Sequence, residues 1–596
     1  MKHVLCWILC LTLLLGCCPA WAEEPAAPAE AAVHQLERKT MPMYFSSVGL
    51  VNSAFPVYYA DGVADLPYTD VREWTEAMNG FLKFGDSNEP VYAIEYDEDG
   101  EWYTLTYMPT GSAALISPRE SMVLFENFDT FSAERYGALD VLSLSGFNAL
   151  TGQRELFARL VDLRNERKGE SKAINLGDYD IPVIFQDGQC LMPLHTMFDL
   201  FFCIQRNLIC CCNNQALFIG GKTMFVMNVK DPDTGEEKLQ LNQLGERYYG
   251  VPKTERSEAF AWFGFNELCM ELDCFYGLKE AHSIYSFRDL MIQTDYYERL
   301  LSPDTAEADA AVQDFINFYF DDLHSMYREN SFSTGYETDL TPERIGFSGR
   351  NDERISSIYR AAADAIIPEG RPIYQEIGNT AYLTLNNFAM EYDSDYYYGL
   401  NLDDPDCIVD TVSLVLFAHH RITRENSPIQ NVVLDLSLNS GGDADAALFV
   451  ISWFLGEAAV ANVDTFTGAQ ASGIYLADTN LDREFTDDDW LTYRYQLYCL
   501  ISPYSFSCAN LVPWAFKSDG AVTLVGRTSG GGSCVVQSMA TAWGTIYQMS
   551  GFKRLSYIKN GSFYDVDRGV EPDIVLTKLS SFYDREKLTD ILNNAY

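Results

Sequence analysis

A serine stands between a strand-like run and a helix-like run in the segment LYCLISPYSFSCANLVPWAFKSDG, residues 497–520. The apolar run ends at Pro503, and the helical pattern begins directly after Ser507. A serine on such a turn can project its hydroxyl at a sheet edge, where the following helix N-terminus favours developing negative charge. Ser507 is therefore a candidate nucleophile. The alternative is a helix N-cap, a position where serine is common.

A second chemical feature is the glycine turn in VVLDLSLNSGGDADAA, residues 432–447. A buried strand that ends in Asn-Ser-Gly-Gly before a helix presents backbone N–H groups at a turn that glycine permits. The N–H groups of Gly441 and Gly442 could hold an oxyanion. A phosphate is disfavoured because the Lys-Ser/Thr pair of a P-loop is missing. A turn that only lets the helix pack closely is the structural alternative.

The elements around these residues alternate between strand and helix. Strand patterns are TAYLTLNNF, NVVLDLSL, YQLYCLIS and AVTLVG, and the helical patterns between them are DTVSLVLFAHHRITRE, ADAALFVISWFLG and CANLVPWAFKSD. This alternation predicts an α/β fold with a mostly parallel central sheet and crossover helices. In such sheets ligands bind beyond the carboxyl ends of the strands. Ser507 and the glycine turn occupy that position.

Taken in order, these segments resemble the tail-specific protease family, which includes the C-terminal processing peptidases, tricorn protease and the chlamydial CPAF protease. The resemblance covers about residues 260–580 and rests on TAYLTLNNF, NVVLDLSLNSGG, SFSCANLV, VTLVGRTSGGGSCVVQ and DRGVEPDI. It implies a serine endopeptidase that acts on a protein or peptide substrate without a metal or other cofactor. By this resemblance Ser507 is the nucleophile, and backbone N–H groups of Gly441 or Gly442 and of Cys508 form the oxyanion hole.

One departure from the family pattern concerns the base. Bacterial processing peptidases use a lysine in a GxxTxGKG loop, whereas this loop reads GRTSGGGSC with Gly531 at the lysine position. Lys517 and Lys553 are the nearest lysines, but neither lies in a matching motif. A serine without a base is a poor nucleophile. The alternative is therefore a catalytically silent peptide- or ligand-binding protein on the same fold, which Asn510, at a position often occupied by glutamate, favours.

The tricorn and CPAF branch instead uses a histidine from a helical segment that precedes the core sheet. The segment NFYFDDLHSMYRENS, residues 317–331, resembles that branch. The resemblance implies that His324 is the general base, because an imidazole titrating near neutral pH can accept and return the serine proton. A helix-end histidine paired with Asp321 or Asp322 is the structural alternative, and His282 is the alternative base.

The same resemblance implies that an acid just before a late GV-x-PD turn orients the histidine, directly or through an intervening hydroxyl. There FYDVDRGVEPD offers Asp567 first, then Asp565 and Glu571. Ser325 is implied as a hydroxyl that supports the histidine. Asp435, at the end of a buried strand, is expected to support the glycine turn.

The N-terminal segment MKHVLCWILCLTLLLGCCPAWA combines a positive start, a short apolar run and small residues at its end. It predicts a signal peptide over residues 1–22 and a spacer over 23–41. The LLGC sequence gives an alternative, a lipid anchor at Cys17. Both alternatives predict an extracytoplasmic protein of a bacterial envelope, either free or tethered, and no later apolar run is long enough to span a membrane.

Composition narrows the class of partner. A net charge of -43 repels nucleic acid and anionic lipid, so neither is an expected partner. Four of the 15 cysteines precede residue 23, and the remaining 11 lack both paired CxxC motifs and an even count. We therefore predict neither a metal site nor a disulfide framework, with Cys269–Cys274 and Cys499–Cys508 the only pairs considered. Composition predicts no oligomeric state.

The chain is long enough for several domains. The predicted domains are an N-terminal α+β module (42–165) that includes a helix over GQRELFARLVDLRNER, a small module (174–232), a helical segment that carries the base (255–345) and the catalytic core (370–596). The 174–232 module resembles the repeat at the N-terminus of copper amine oxidases, but no copper ligand cluster accompanies it. His195, at its helix start, is predicted to be structural.

Overall fold

The computed structural model describes residues 33–83, 89–97, 101–132, 158–230, 237–336, 346–391, 394–559 and 562–594. The predicted signal peptide, Cys17 and most of the predicted spacer lie outside the described residues. Among the described residues, no helix combines the length and apolar character needed to cross a membrane.

The N-terminal half is rich in short strands. Its strands are β1 (Leu36–Phe45), β2 (Gly49–Ala60), β3 (Pro67–Asp70), β4 (Tyr92–Tyr96), β5 (Tyr103–Tyr107), β6 (Ser112–Ser117), β7 (Met122–Phe125), β8 (Ala158–Arg167), β9 (Lys172–Asn175), β10 (Ile184–Gln186), β11 (Gln189–Pro193), β12 (Ile209–Cys212), β13 (Leu217–Gly220), β14 (Val226–Lys230) and β15 (Glu237–Leu241). Its helices are α1 (Val71–Phe81), α2 (Leu194–Phe198), which continues as a π-helical turn (Asp199–Cys203), and α3 (Gln243–Tyr249).

Strands from both predicted N-terminal modules share one sheet, with the order β10-β11-β3-β2-β1-β13-β12. A second sheet has the order β4-β5-β6-β7-β9. The β10–β11 hairpin turns at Asp187 and Gly188, whose φ angles of 54° and 75° match a type I′ turn. The predicted strand–turn–strand–helix order is thus present between residues 184 and 198. The resemblance to the copper amine oxidase repeat stays a prediction.

Helices dominate the middle of the chain, and strands return afterwards. The helices are α4 (Glu258–Phe275), α5 (Phe287–Ile292), α6 (Tyr296–Leu300), α7 (Thr305–Asp314), which continues as a π-helical turn (Phe315–Phe320), α8 (Phe347–Ile366), α9 (Ser394–Tyr398), α10 (Thr411–Thr423), α11 (Ala444–Leu455), α12 (Cys508–Asp519), α13 (Ser580–Tyr583) and α14 (Arg585–Asn593). The strands are β16 (Met326–Glu329), β17 (Tyr374–Ile377), β18 (Thr380–Thr384), β19 (Asn431–Asp435), β20 (Ala458–Asp464), β21 (Gln470–Ala477), β22 (Gln496–Ile501), β23 (Val522–Gly526), β24 (Cys534–Ala540), β25 (Ile546–Ser556), β26 (Ile558–Lys559), β27 (Ser562–Phe563) and β28 (Ile574–Val575).

The predicted parallel sheet is present, with the order β17-β18-β19-β22-β23-β28. Strands β18, β19, β22, β23 and β28 pair in parallel, and β17 joins the edge antiparallel. Side chains of β19 alternate between two cores: Val432 and Leu434 pack under the crossover helices, and Val433 packs on the opposite face. This sheet carries Ser507 and the glycine turn at the carboxyl ends of β22 and β19. The α/β fold class is as predicted.

A second, antiparallel sheet lies beside it, with the order β16-β25-β20-β21-β8 and β24 paired to β25. The sequence did not predict this sheet, because the β20–β21 region looks like a polar excursion between helices. The helix predicted over GQRELFARLVDLRNER is wrong for residues 158–167, which form strand β8. Pairing with β21 along nearly the whole length of β8 outweighs the helical spacing of its leucines.

The cysteines of the described residues are all free thiols, most of them buried. Neither Cys269–Cys274 nor Cys499–Cys508 forms a disulfide. They pack as small apolar side chains, since eight of the 11 are buried.

Candidate active site

Ser507 lies on a strained turn between β22 and α12. Its φ of 57° and ψ of -122° fall in a region that residues with a side chain rarely adopt. The backbone N–H of Ser507 donates to the carbonyl of Gly531 at 2.9 Å, which helps to hold this conformation. Although Ser507 immediately precedes the helix, its hydroxyl makes no capping hydrogen bond. The N-cap alternative therefore lacks the contact that would define it.

Gly441 approaches Ser507 so closely that a side chain is excluded there. With a φ of 112°, a Cβ at Gly441 would lie 2.7 Å from the Ser507 Cβ and 3.1 Å from its Oγ. Gly442, with a φ of 134°, forms a parallel bridge to Phe388, where a Cβ would lie 2.1 Å from the Phe388 carbonyl oxygen. Both glycines of the turn are therefore required by their close approach as well as by their backbone conformation.

The candidate oxyanion donors differ in their availability. The N–H of Gly441 donates to Asn439 Oδ1 at 2.8 Å and is therefore occupied. Within the described residues, no acceptor is recorded for the N–H groups of Gly442 and Cys508. Cys508 Sγ contacts the carbonyl of Gly442 at 3.2 Å and joins the glycine turn to the start of α12. Of the two glycines, Gly442 is the one with a free donor.

The thiol beside Ser507 is not a competing nucleophile. Burial raises the pKa of Cys508 to about 12, and the carboxylate of Asp443 acts in the same direction. The thiolate is the nucleophilic form of cysteine, so a thiol with this pKa stays unreactive near neutral pH.

His324 lies in a turn and not on a helix, which corrects the prediction that a helical segment carries it. The helical turn ends at Phe320, and Asp321 adopts the left-handed conformation with a φ of 44°. The carboxylate of Asp322 accepts hydrogen bonds from the backbone N–H groups of His324 (3.0 Å) and Ser325 (2.8 Å). This Asx turn fixes the backbone of His324 just before β16. Asp322 thus holds the backbone of His324, and no hydrogen bond to the imidazole is recorded among the described residues.

The His324 side chain packs directly against the residue that precedes the candidate nucleophile. Its imidazole centroid is 4.7 Å from the ring centroid of Phe506, with the planes tilted by 53°. The side chain is 6% exposed, and its Nε2 has no hydrogen-bond partner among the described residues. No hydrogen bond joins Ser507 Oγ to the imidazole among the described contacts. Catalytic hydrogen bonds are often longer in the absence of substrate.

The environment of His324 favours the neutral imidazole. Burial lowers the pKa of His324 below its usual 6.5, and the positive charge of Lys222 acts in the same direction. The carboxylates of Asp322 and Asp567 oppose this effect, with Asp322 acting more strongly. A neutral imidazole is the form that can accept a proton.

The candidate acids and the supporting hydroxyl occupy different surroundings. Asp567 is half-buried, and its Oδ1 accepts hydrogen bonds from the N–H (3.0 Å) and Oγ (3.3 Å) of Ser533. Asp565 pairs with Arg554 at 2.5 Å, and Glu571 is exposed. Of these three acids, only Asp567 acts electrostatically on His324.

Ser325 belongs to the turn that carries His324. Its Oγ donates to Asp322 at 2.7 Å and accepts from the N–H of Ser550 at 3.1 Å. The hydroxyl therefore fastens the turn to β25 in this structure. Asp435 is fully buried between Arg585 (2.7 Å) and Arg371 (3.3 Å), and it also accepts hydrogen bonds from Ser437, which fits its expected support of the turn.

The two lysines nearest to Ser507 in sequence and the alternative base, His282, have other partners. Lys517 forms an ion pair with Asp573, and burial lowers the pKa of Lys553, which lies near Asp464 and Asp129. His282 is exposed, and its Nδ1 lies 3.2 Å from the hydroxyl of Tyr276. None of these three has a recorded contact with Ser507 among the described residues.

Gly531, at the position of the family lysine, has no room for a side chain. Its φ is 90°, and a Cβ would lie 1.9 Å from the carbonyl oxygen of Asp567. A side chain at position 531 would therefore clash with the loop that carries the candidate acid.

Three residues support the site in ways that the sequence does not predict. Asp322 forms the turn described above, and Asn510 donates from Nδ2 to the carbonyl of Val566 at 2.8 Å, next to Asp567. Lys222 Nζ donates to Gln548 Oε1 at 2.7 Å, and Gln548 Nε2 donates to the carbonyl of His324 at 2.8 Å. The doubled aspartate before His324 was the only signal in the sequence. The other two depend on contacts between residues distant in sequence.

Residues 379–576 match the model of Peptidase family S41. This segment is a family S41 peptidase domain. The domain contains Ser507, the glycine turn and Asp567, whereas His324 lies before it in sequence. The match agrees with the resemblance to the tail-specific proteases.

Several solved structures are similar to this chain. They include the photosystem II D1 C-terminal processing protease (18% identity, TM-score 0.26, covering 36% of this chain and 47% of that one). They also include mature CPAF complexed with lactacystin (12% identity, TM-score 0.35, covering 57% of this chain and 99% of that one). A putative peptidase from Parabacteroides merdae is similar as well (15% identity, TM-score 0.37, covering 52% of this chain and 88% of that one). The chain thus spans about half the length of the processing protease. No curated protein matches it.

Proposed function

We propose that the protein is an extracytoplasmic serine endopeptidase that cleaves protein or peptide substrates through an acyl-enzyme on Ser507. His324 is the general base in this proposal, and Asp567 is the supporting acid. The observation that carries the proposal is the buried, unpartnered Nε2 of His324 beside Phe506, the neighbour of Ser507. The extracytoplasmic location rests on the N-terminal apolar segment alone.

The reaction begins when Ser507 Oγ attacks the carbonyl carbon of the scissile amide. The hydroxyl proton passes to the neutral imidazole of His324, and the carbonyl oxygen becomes an oxyanion. The free N–H groups of Gly442 and Cys508 stabilise this oxyanion. Collapse of the tetrahedral intermediate breaks the C–N bond, and the imidazolium gives its proton to the leaving amine. A water molecule, activated by the same imidazole, then hydrolyses the ester.

The charges around His324 fit this cycle. Burial keeps the imidazole neutral before attack, and the carboxylates of Asp322 and Asp567 stabilise the imidazolium that forms during it. The strained backbone of Ser507 and the close approach of Gly441 keep the Ser507 hydroxyl beside the glycine turn. The half-buried position of Ser507 leaves it within reach of a substrate.

The proposal predicts that a fluorophosphonate probe labels Ser507. Ser507→Ala should abolish labelling, and His324→Ala should slow it by ~10²–10⁴-fold because the proton acceptor is removed. Ser518→Ala, at the exposed end of α12, and His420→Ala, on the surface of α10, are matched controls that should label normally. Labelling is measured by gel fluorescence and intact mass, with circular dichroism as the check on folding.

Two results would contradict the proposal. Labelling that survives Ser507→Ala would place the nucleophile elsewhere, and labelling of the His324→Ala protein at the wild-type rate would remove the proposed base. A folded wild-type protein that is never labelled would favour the catalytically silent, peptide-binding alternative.

A further inference from the structure

A buried cluster of one histidine and three carboxylates lies away from the peptidase site. His195 belongs to α2 and Asp199 to the helical turn that follows it, four residues later. Glu267 and Glu271 form a second i, i+4 pair on α4. Side chains four residues apart lie on the same helix face, so the two pairs meet across the contact between these helical segments. Their exposed fractions are 6%, 4%, 1% and 1%.

The ligand atoms are close enough to share one cation. His195 Nδ1 lies 3.0 Å from Asp199 Oδ2 and 3.0 Å from Glu267 Oε2. Ligand atoms of His195, Asp199 and Glu271 lie within 4.8 Å of one another. A cation with bonds of about 2.0–2.2 Å to nitrogen and oxygen needs ligand atoms at such separations.

Among the described residues, the three carboxyl groups of the cluster share one cationic partner, His195. Outside the cluster, both carboxylate oxygens of Glu271 and the Oε2 of Glu267 lack a hydrogen-bond partner among the described residues, and within it Glu271 hydrogen-bonds to Asp199. No lysine or arginine within the described residues forms an ion pair with any of the three carboxylates. The hydroxyl of Thr196 donates to the other oxygen of Glu267 at 2.5 Å. Burial and the neighbouring carboxylates raise the pKa of Glu271 well above its usual range, so this carboxyl takes up a proton unless a cation lies beside it.

We propose that His195, Asp199, Glu267 and Glu271 form a structural site for a divalent transition-metal ion. One imidazole nitrogen and carboxylate oxygens suit Mn²⁺, Fe²⁺ or Zn²⁺, whereas Ca²⁺ prefers six to eight oxygen ligands. Pairs of ligands four residues apart on facing helices are a recurrent way to build metal sites in helical cores. A cavity of about 30 Å³, lined among others by Arg256 and Trp543, borders His195.

The site would join the N-terminal sheet region to the antiparallel sheet of the catalytic unit. The negative charges of Glu271, Asp199 and Glu267 all act on the buried hydroxyl of Tyr547, in β25. Tyr547 precedes Gln548, the residue that donates to the carbonyl of His324. The cation would therefore lie near the strand that supports the candidate base.

Metal analysis of the full chain tests this proposal without any measurement of peptidase activity. The protein is stripped with EDTA, reloaded separately with Mn²⁺, Fe²⁺ and Zn²⁺, desalted and analysed by plasma mass spectrometry. We expect about one ion per chain for at least one metal and a higher melting temperature after loading. Loss of the free Mn²⁺ signal in electron paramagnetic resonance gives the dissociation constant.

Glu271→Gln removes one ligand charge with little change in shape and should weaken binding by about tenfold or more. Glu376→Gln, at an ion-paired glutamate of β17, is the matched control and should bind like the wild type. Absence of stoichiometric metal in all three preparations overturns the proposal and leaves a cluster whose carboxyls hold protons. Equal affinity of the Glu271→Gln and wild-type proteins also overturns it.

Discussion

At the residue scale, the candidate site depends on backbone positions that exclude ordinary side chains. Ser507 has a strained conformation, which costs on the order of 1–3 kcal/mol, and Gly441, Gly442 and Gly531 have positive φ angles. At each glycine a Cβ would collide with Ser507, Phe388 or Asp567. The sequence showed that these residues were unusual. It could not show that Gly531 faces the acid-bearing loop, because that contact joins segments 36 residues apart.

Burial of His324 predicts the pH dependence of the proposed reaction. Because the pKa of His324 is lowered from 6.5, the acidic limb of kcat/KM should have its midpoint below pH 6.5. Activity should rise with pH through this midpoint as the imidazole loses its proton. The measurement is kcat/KM, or the second-order rate of fluorophosphonate labelling, as a function of pH.

Two variants that change the charge near His324 in opposite directions test whether His324 is the group that titrates. Asp567→Asn removes a charge that stabilises the imidazolium, so its midpoint should move lower. Lys222→Met removes a charge that disfavours the imidazolium, so its midpoint should move higher. Shifts in the same direction, or a wild-type midpoint above pH 6.5, would be inconsistent with His324 as the titrating base.

At the element scale, local patterns predict the helical segment that contains α4 and the strand–helix alternation of the parallel sheet, because buried residues recur in the sequence with the period of each element. They failed where tertiary pairing decides the structure. Residues 158–167 have leucines at helical spacing, yet they form the edge strand beside β21. His324 was assigned to a helix because apolar residues continue through Phe320, whereas the helix ends there at a left-handed aspartate.

Asn510 connects two elements of the site, and its replacement tests that connection. Its side chain donates to the carbonyl of Val566 and accepts from Ser529 Oγ at 2.7 Å. Asn510→Asp would replace the donor with a buried carboxylate oxygen facing a carbonyl. We expect a loss of about 1–3 kcal/mol in the free energy of unfolding and slower labelling of Ser507. Urea denaturation gives the first quantity.

Asn401→Asp is the matched control, because Asn401 is exposed and uses only its Oδ1, as an acceptor for the N–H of Asp403. It should leave both quantities unchanged. If Asn510→Asp were as stable and as reactive as the control, α12 would not support the loop of Asp567.

At the scale of the whole molecule, Leu36–Tyr596 is one compact unit. One core cluster extends from Met41 to Phe552 and includes the N-terminal sheet, α4 and β25. Strand β8 also completes the sheet that contains β20 and β21. The predicted division at residue 165 therefore falls within this sheet, and the division itself stays a prediction.

This continuity predicts that the catalytic region does not fold alone. A chain of residues 255–596 would expose β21 and the surface of α4 and β25 that packs in the shared core, so it should be insoluble or lack native circular dichroism. A chain of residues 33–596 is the control and should show a single cooperative thermal transition. A soluble 255–596 fragment that reacts with the fluorophosphonate would disprove the prediction.

The proposed nucleophile and base belong to different sheets: Ser507 follows a strand of the parallel sheet, and His324 precedes a strand of the antiparallel one. Their relative position therefore depends on the packing between the two sheets and not on the strand pairing within either one. Assembly of the catalytic pair therefore requires that both sheets fold and that they pack against each other.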